Sequence, residues 1–495
     1  MSQIVAGVEK LRLKFTGSSS LLFKDVSSLI YAGEKVLILG PSGCGKSTLL
    51  QILSGLIPHS IEAPMKAESV TVPRSWGYVF QDPDTQYCMP YVDEEIAFVL
   101  ENLRVPRHEM PALIRKYVEM VGLAIEDMHT SIQSLSGGMK QRLSIASVMA
   151  LQPEVLFLDE PTAMLDPEGT EQVWETIKEV AQDQTVLIVE HKIEHVLDFI
   201  ERIILFNEQG EIIADGPKDQ ILSAHKQQLI AQGIWYPGVW EDYVHRAQRQ
   251  SYIDLQHKYH QNEWMLSISD FKGFRGNDIK LHVEQAQLFP GEWIAIVGKN
   301  GAGKSTLLHS LMQLIKTTGE YMIEKQPIVE IDKLTDHLTF VFQNPEFQFV
   351  TNSVYDEIAY SLRIDEMGEQ QIEEIVNRLI AQFRLLGQTE QHPYQLSMGQ
   401  KRRLSVAAAI VKEQKIILLD EPTFGQDAKN TFAILELIEH WRKQGTIVLM
   451  ATHSMEVVQY FSNRVWLIEN GKLEFDGTSA QYREKYLQQP LLNSR

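Results

Sequence analysis

The sequence predicts an α/β protein made of two copies of one domain, each a mostly parallel sheet wrapped by helices. Three observations carry that expectation. Five short motifs occur twice, in the same order, at a nearly constant offset of about 260 residues. Short apolar runs such as Val36-Leu-Ile-Leu39, Val155-Leu-Phe-Leu158 and Ile416-Ile-Leu-Leu419 read as strands buried on both faces, as in a parallel sheet. In each copy a loop of pattern G-x-x-x-x-G-K-[ST] joins such a run to a helix-forming stretch.

The repeats set the domain plan. Gly40-Pro-Ser-Gly-Cys-Gly-Lys-Ser-Thr48 returns as Gly298-Lys-Asn-Gly-Ala-Gly-Lys-Ser-Thr306, and Val79-Phe-Gln-Asp-Pro83 as Val341-Phe-Gln-Asn-Pro345. Leu135-Ser-Gly-Gly-Met139 returns as Leu396-Ser-Met-Gly-Gln400, and Leu158-Asp-Glu-Pro-Thr162 as Leu419-Asp-Glu-Pro-Thr423. His191 and His453 each follow an apolar run. One domain is therefore expected over 1–226 and a second over 263–495. Between them, 227–262 is polar but carries Trp235, Tyr236, Trp240, Tyr243, Tyr252 and Tyr259, so it is expected to pack on the domains. A helical subdomain is expected between the Gln81 loop and Ser136, where Glu109 to Gly122 has amphipathic spacing.

Composition narrows the function class. The 495 residues are 44% hydrophobic and 22% charged, with a formal net charge of −19. That balance is opposite to the basic field of a nucleic-acid binder, and no nucleic-acid partner is expected. No run of about 18 apolar residues occurs, and Met1 to Phe15 lacks a basic stretch followed by an apolar one. Two cysteines, Cys44 and Cys88, exclude a disulfide framework and fit a reducing compartment, so the cytoplasm is the expected address.

The loop motif specifies phosphate chemistry. Glycines let backbone N–H groups turn toward phosphate oxygens, and a helix N-terminus adds positive potential. The expected cradle is Gly40, Pro41, Ser42, Gly43, Cys44, Gly45, Lys46, Ser47 and Thr48 in the first copy. In the second it is Gly298, Lys299, Asn300, Gly301, Ala302, Gly303, Lys304, Ser305 and Thr306. Lys46 and Lys304 would reach the β- and γ-phosphates of ATP, while Ser47 and Ser305 offer a hydroxyl to Mg²⁺. Asp159 and Asp420, at strand ends, would hold the Mg²⁺ shell, and Glu160 and Glu421 would act as general base on the attacking water. Gln81 and Gln343 would contact the metal or that water, and His191 and His453 would sense the γ-phosphate. Cys44 needs only its small size and is assigned no redox role.

At these residues the sequence resembles the nucleotide-binding subunits of ATP-binding-cassette (ABC) transporters over nearly its whole length. The distinguishing element is the signature, Leu135-Ser-Gly-Gly-Met139 and Leu396-Ser-Met-Gly-Gln400. The resemblance implies an intramolecular head-to-tail dimer of cassettes with two composite ATP sites. Lys46, Gln81, Glu160 and His191 would meet Ser397 and Gly399; Lys304, Gln343, Glu421 and His453 would meet Ser136, Gly137 and Gly138. Phe15, and in the second copy Phe274, would stack on adenine, and the Asp166 and Asp427 loops would form inter-cassette contacts. Gln81-Asp-Pro-Asp-Thr-Gln86 with Asp93-Glu-Glu-Ile-Ala97, and Gln343-Asn-Pro-Glu-Phe-Gln348 with Asp356-Glu-Ile-Ala359, look like the energy-coupling-factor (ECF) vitamin importers. A fused pair is similar to the ATPases that import thiamine precursors such as hydroxymethylpyrimidine. That implies work at the cytoplasmic face of the cell membrane with two kinds of membrane-embedded subunit, a transmembrane coupling protein and a substrate-binding component. They would dock near Pro90-Tyr91 and Thr351-Asn352-Ser353. The competing classes are a tandem ATPase acting on the ribosome, which usually has a long charged linker, and a sugar-import tandem, whose second half commonly loses the lysine and glutamate retained here as Lys304 and Glu421. One departure stands out: Met398 replaces the first signature glycine. It is expected to crowd or re-aim its loop and to slow the site that pairs Lys46 with Ser397.

Overall fold

Each phosphate loop leaves the carboxyl end of a strand in the interior of a parallel sheet. The computed structural model describes residues 3–15, 20–163, 165–249 and 263–487. The chain divides into two units, Met1–Val239 with Asp427–Lys429, and Trp240–Gln426 with Asn430–Arg495.

In the first unit the sheet order is Ile212–Pro217, Arg202–Phe206, Lys35–Leu39, Thr185–Val189, Val155–Asp159 and Trp76–Val79. All neighbours are parallel except the first pair. Val155–Asp159 and Thr185–Val189 are buried at every residue, as the unbroken apolar runs require. The helix Lys46–Leu53 lays Leu49, Leu50, Ile52 and Leu53 into a core shared with Val36, Ile38, Phe157 and Leu187. Each such side chain contributes about 1.5–3 kcal/mol of burial, which fixes the loop ahead of the helix to the sheet.

A second, antiparallel sheet of Phe23–Tyr31, Ile4–Leu13, Met65–Lys66 and Ser69–Thr71 is absent from the sequence expectation. Its long strands carry register shifts, and Lys10 and Asp25 adopt φ of 47° and 57°. These irregularities break the alternation by which a half-buried strand is read.

The second unit repeats the plan in one ten-stranded sheet. Its parallel part runs Arg464–Glu469, Trp293–Val297, Ile447–Ala451, Ile416–Asp420 and Leu338–Val341. Its antiparallel part is built on Leu266–Arg275, Asp278–Leu288 and Thr317–Ile323. The strand Lys472–Thr478 lies between the two parts, antiparallel to Arg464–Glu469 and joined to Asp278–Leu288 by a parallel pairing of Lys472 with His282.

Between the Gln81 loop and Ser136 lie the helices Val92–Asn102 and Met110–Met120, and Gly137–Ala150 follows the serine. The amphipathic stretch at Glu109 to Gly122 forms the middle helix, with Met110, Ile114, Tyr117 and Val118 buried. Val354–Ile364, Glu369–Gln382 and Met398–Ala409 repeat the arrangement.

Of the aromatic residues between the copies, Trp235, Tyr236, Trp240 and Tyr243 are buried, whereas Tyr252 and Tyr259 lie outside the described residues. The helix Val239–Arg249, which from Trp240 on belongs to the second unit, presents Trp240 edge-on to Phe432 at 4.9 Å between centroids. Tyr243 stacks flat on Phe432 at 3.9 Å and donates its hydroxyl to Glu436 Oε1 at 2.8 Å. Replacing Tyr243 by Ala is therefore expected to destabilise the chain by about 3 kcal/mol, as large-to-small changes at buried aromatics do. Tyr243→Phe, which removes only the hydroxyl, is expected to cost about 1 kcal/mol. Equilibrium urea unfolding of the three proteins measures both.

Candidate active site

The first loop is shaped by left-handed backbone at its end. Gly45 has φ 102° and precedes the helix that begins at Lys46, and a Cβ there would sit 2.7 Å from the Phe23 ring. Both conformation and space thus require glycine. Lys46 is buried, and its Nζ donates to the carbonyls of Gly40 at 2.8 Å and Pro41 at 3.0 Å. Ser42 and Gly43 at the loop tip are exposed, whereas Cys44 faces the core. The second loop matches: Gly303 has φ 115°, and Lys304 Nζ donates to Gly298 at 2.8 Å and Lys299 at 3.2 Å. Lys299, Asn300 and Gly301 are exposed; Ala302 and Thr306 are buried. Thr48 lies half-buried in the first turn of its helix.

Strand ends bring carboxylates to each loop. Ser47 Oγ donates to Asp159 Oδ1 at 2.7 Å, and Tyr78 donates to Asp159 Oδ2 at 2.9 Å. Glu160 follows with φ 48°, a conformation that a non-glycine residue adopts at some cost in strain. Gln81 Nε2 donates to Glu160 Oε2 at 2.9 Å, and His191 Nε2 lies 2.9 Å from Glu160 Oε1. Lysine, serine, aspartate, glutamate, glutamine and histidine from four separate segments thus meet at one loop.

Burial pushes the Asp159 carboxyl above its ordinary range, against the hydrogen bonds from Ser47 and Tyr78. Burial also pushes Glu160 upward, but the charge and hydrogen bond of His191, helped by Lys46, outweigh it and hold Glu160 below its ordinary value. Burial pulls His191 down, and Glu160 more than reverses this, so each partner favours the other's charged form.

The second set has the same members with different spacings. Ser305 hydrogen-bonds Asp420, whose carboxyl is pushed up by burial. Glu421 has φ 50°. His453 Nε2 lies 3.6 Å from Glu421 Oε1, 3.3 Å from Lys304 Nζ and 3.1 Å from Asn300 Oδ1. The Gln343 backbone carbonyl accepts from Arg402 of the helix Met398–Ala409.

The signature serines each cap a helix. Ser136 accepts from Met139 N at 3.3 Å, and Ser397 forms a capping box with Gln400. The backbone at Ser397, φ −62° and ψ 158°, matches that at Ser136, φ −66° and ψ 160°. Met398 therefore does not re-aim its loop, contrary to the sequence expectation. Nor does it crowd the chain, because a side chain at the matching Gly137 would meet Leu165 at 3.4 Å, an ordinary contact. The methionine instead stands 48% exposed beside Ser397. Gly399 is more constrained, since a Cβ there would lie 3.2 Å from Asn430 and Gln426, whereas one at Gly138 would have its nearest neighbour at 3.6 Å. Asp166 caps the helix Pro167–Val180 through Gly169 N at 2.8 Å. Phe15 is 41% exposed, and Phe274 carries the Lys316 ammonium 5.3 Å from its ring centroid.

Three residues around these sets escaped the sequence reading: Tyr78, Glu190 and Arg402. At the matching positions of the other copy stand Phe340, Thr452 and Gln141. A comparison of the copies for unmatched polar residues would have found them. Glu190 is buried, accepts from Thr162 Oγ1, and its Oε2 accepts from His191 N at 3.2 Å.

The family model for ABC transporters matches residues 23–163 and 281–424. "Putative HMP/thiamine import ATP-binding protein YkoD" of Bacillus subtilis is 35% identical, over 96% of this chain and 91% of that one. A Streptococcus pneumoniae "Putative ABC transporter ATP-binding protein" is 35% identical, over 92% of this chain and 88% of that one. The solved structure of cbiO1 from Clostridium perfringens, described as part of the ABC transporter complex cbiONQ, covers 45% of this chain and 92% of its own at 26% identity and TM-score 0.41.

Burial lifts the Glu190 carboxyl from 4.5 to about 7. Between those values the folded chain holds a proton that the unfolded chain has lost, so this group's contribution to stability falls as pH rises through the window. Glu190→Gln removes that dependence. Urea midpoints at about pH 5 and about pH 7.5 are expected to show wild type losing stability relative to the variant at the higher pH.

Proposed function

This chain belongs to the ABC transporter family as an ATP-hydrolysing subunit, and we propose that it is the fused ATPase pair of an ECF-type importer, driving uptake of a vitamin or vitamin precursor, with hydroxymethylpyrimidine or thiamine the first candidates. The observation that carries the reading is that both copies retain a full set of lysine, serine, aspartate, glutamate, glutamine and histidine around a phosphate loop. A tandem with one silent copy would not need Lys304 and Glu421. The name of the Bacillus subtilis relative supports the substrate class. Among the described residues no helix is long and apolar enough to cross a membrane, so the path for the substrate belongs to other subunits.

In this reading Lys46 and Lys304 bind the β- and γ-phosphates. Ser47 with Asp159, and Ser305 with Asp420, present hard oxygen donors that suit Mg²⁺, an ion that takes one or two protein oxygens and leaves the rest of its shell to phosphates and water. When bound, Mg²⁺ neutralises charge building on the phosphate oxygens. Glu160, ionised beside His191, accepts a proton from the attacking water, and Gln81 orients that water. Glu421, His453 and Gln343 do the same in the second copy. The signatures complete each site from the opposite cassette, Ser397 and Gly399 for the first loop, Ser136, Gly137 and Gly138 for the second.

Membrane subunits dock on the loops after Gln81 and Gln343 at the cytoplasmic face of the cell membrane. Two buried carboxylates brace those loops: Glu95 accepts from Cys88 N and Met89 N at 2.9 Å each, and Glu357 accepts from Thr351 N at 2.9 Å and its hydroxyl at 2.7 Å. In the second copy Phe347 and Val350 are 75% and 64% exposed, an apolar face suited to a membrane protein's helix.

Labelled thiamine precursors are expected to enter cells only when this chain is present, and unchanged uptake in its absence overturns the substrate class. Met398, standing beside Ser397 where glycine gives phosphate free approach, is expected to slow the site that contains Glu160. Turnover of the assembled complex should then fall further with Glu421→Gln than with Glu160→Gln, and equal losses would remove the asymmetry.

A further inference from the structure

The second copy buries a cation where the first has a neutral side chain. Arg402, 4% exposed, donates from Nη1 to the Phe342 carbonyl at 2.7 Å and from Nη2 to the Gln343 carbonyl. Gln141, at the matching position, offers one Nε2 contact to the Phe80 carbonyl at 3.3 Å. Hydrogen bonds from a charged donor are roughly twice as strong as neutral ones, and the guanidinium fork can span two successive carbonyls as an amide cannot. A buried guanidinium is tolerated only where groups of opposite charge face it. Here those are Asp420 and Glu421, whose charges favour the cation against its burial. Arg402 thus links three things: the helix that starts at the signature, the backbone at Gln343, and the field of the two carboxylates.

The copies also differ in how the glutamine is held. Gln81 is tied by its side chain to Glu160 at 2.9 Å, whereas the Gln343 backbone is tied to the signature helix through Arg402. We propose that Arg402 is a positioning residue that locks the backbone of Gln343 to the helix Met398–Ala409, so that this glutamine is placed by the helix and any displacement of the helix carries it along. The proposal rests on the role given above to Gln343 in orienting the attacking water.

A double-mutant cycle on ATP turnover by the full chain in its assembled complex tests it. Arg402→Gln, which installs the first copy's own residue, is expected to lower kcat about tenfold while KM for ATP changes by less than about twofold. Arg402→Lys, which keeps the charge but not the fork, should recover part of that loss. In a Gln343→Ala background Arg402→Gln should add little, because the residue it acts through is gone. Additive losses, a loss carried by KM, or a Gln343→Ala variant with unchanged turnover would each overturn the proposal. Should Arg402→Gln fail to fold, the same cycle run with Arg402→Lys gives the same decision. Failure of the ATPase assignment itself is read separately, as turnover that survives Lys46→Ala combined with Lys304→Ala.

Discussion

A buried ammonium enclosed by the carbonyls of its own loop sets the geometry of each half. Lys46 and Lys304 are held at 2.8 Å by Gly40 and Gly298, the first glycines of their loops. A lysine is stable there only because the loop curls round it, and the loop curls only because Gly45 and Gly303 take left-handed backbone ahead of a helix. The helix in turn is fixed by leucines packed on the sheet. Everything that approaches the loop does so from strand ends of that sheet, so the parallel order of strands determines which side chains can meet.

Much of this was legible in the chain. Uninterrupted apolar runs marked the central strands, and the loop pattern between a strand and a helix marked the turn. The residues picked out by the repeats, among them Ser47, Gln81, Asp159, Glu160 and His191, lie in contact at 2.7 to 2.9 Å in the first copy. The antiparallel sheet was not legible, because bulges around Lys10 and Asp25 scramble the alternation on which strand reading depends. Glu190 and Arg402 carry no local pattern either. A buried acid or arginine is recognised only once its partners are known, and the Thr162 hydroxyl behind Glu190 and the Phe342 and Gln343 carbonyls behind Arg402 are distant in sequence. The expected effect of Met398 on its backbone is absent for a related reason: its position tolerates a side chain, as the matching angles at Ser397 and Ser136 show.

Duplication has left the two halves alike in the residues nearest the phosphate loop and different just behind them. Tyr78 supports Asp159 where the second copy has Phe340. Glu190 sits behind His191 where the second copy has Thr452, and Gln141 stands at the position that Arg402 takes in the second copy. Substitutions of this kind change how firmly a glutamine or histidine is held without touching the groups that face phosphate. Two sites of one ancestry can thereby take different rates within one chain.

Both loops are expected to bind nucleotide. Equilibrium dialysis with labelled ATP measures it directly, on wild type and on Lys46→Ala and Lys304→Ala separately. Two nucleotides per chain are expected in wild type and one in each variant. One nucleotide in wild type, or two retained in either variant, would contradict it.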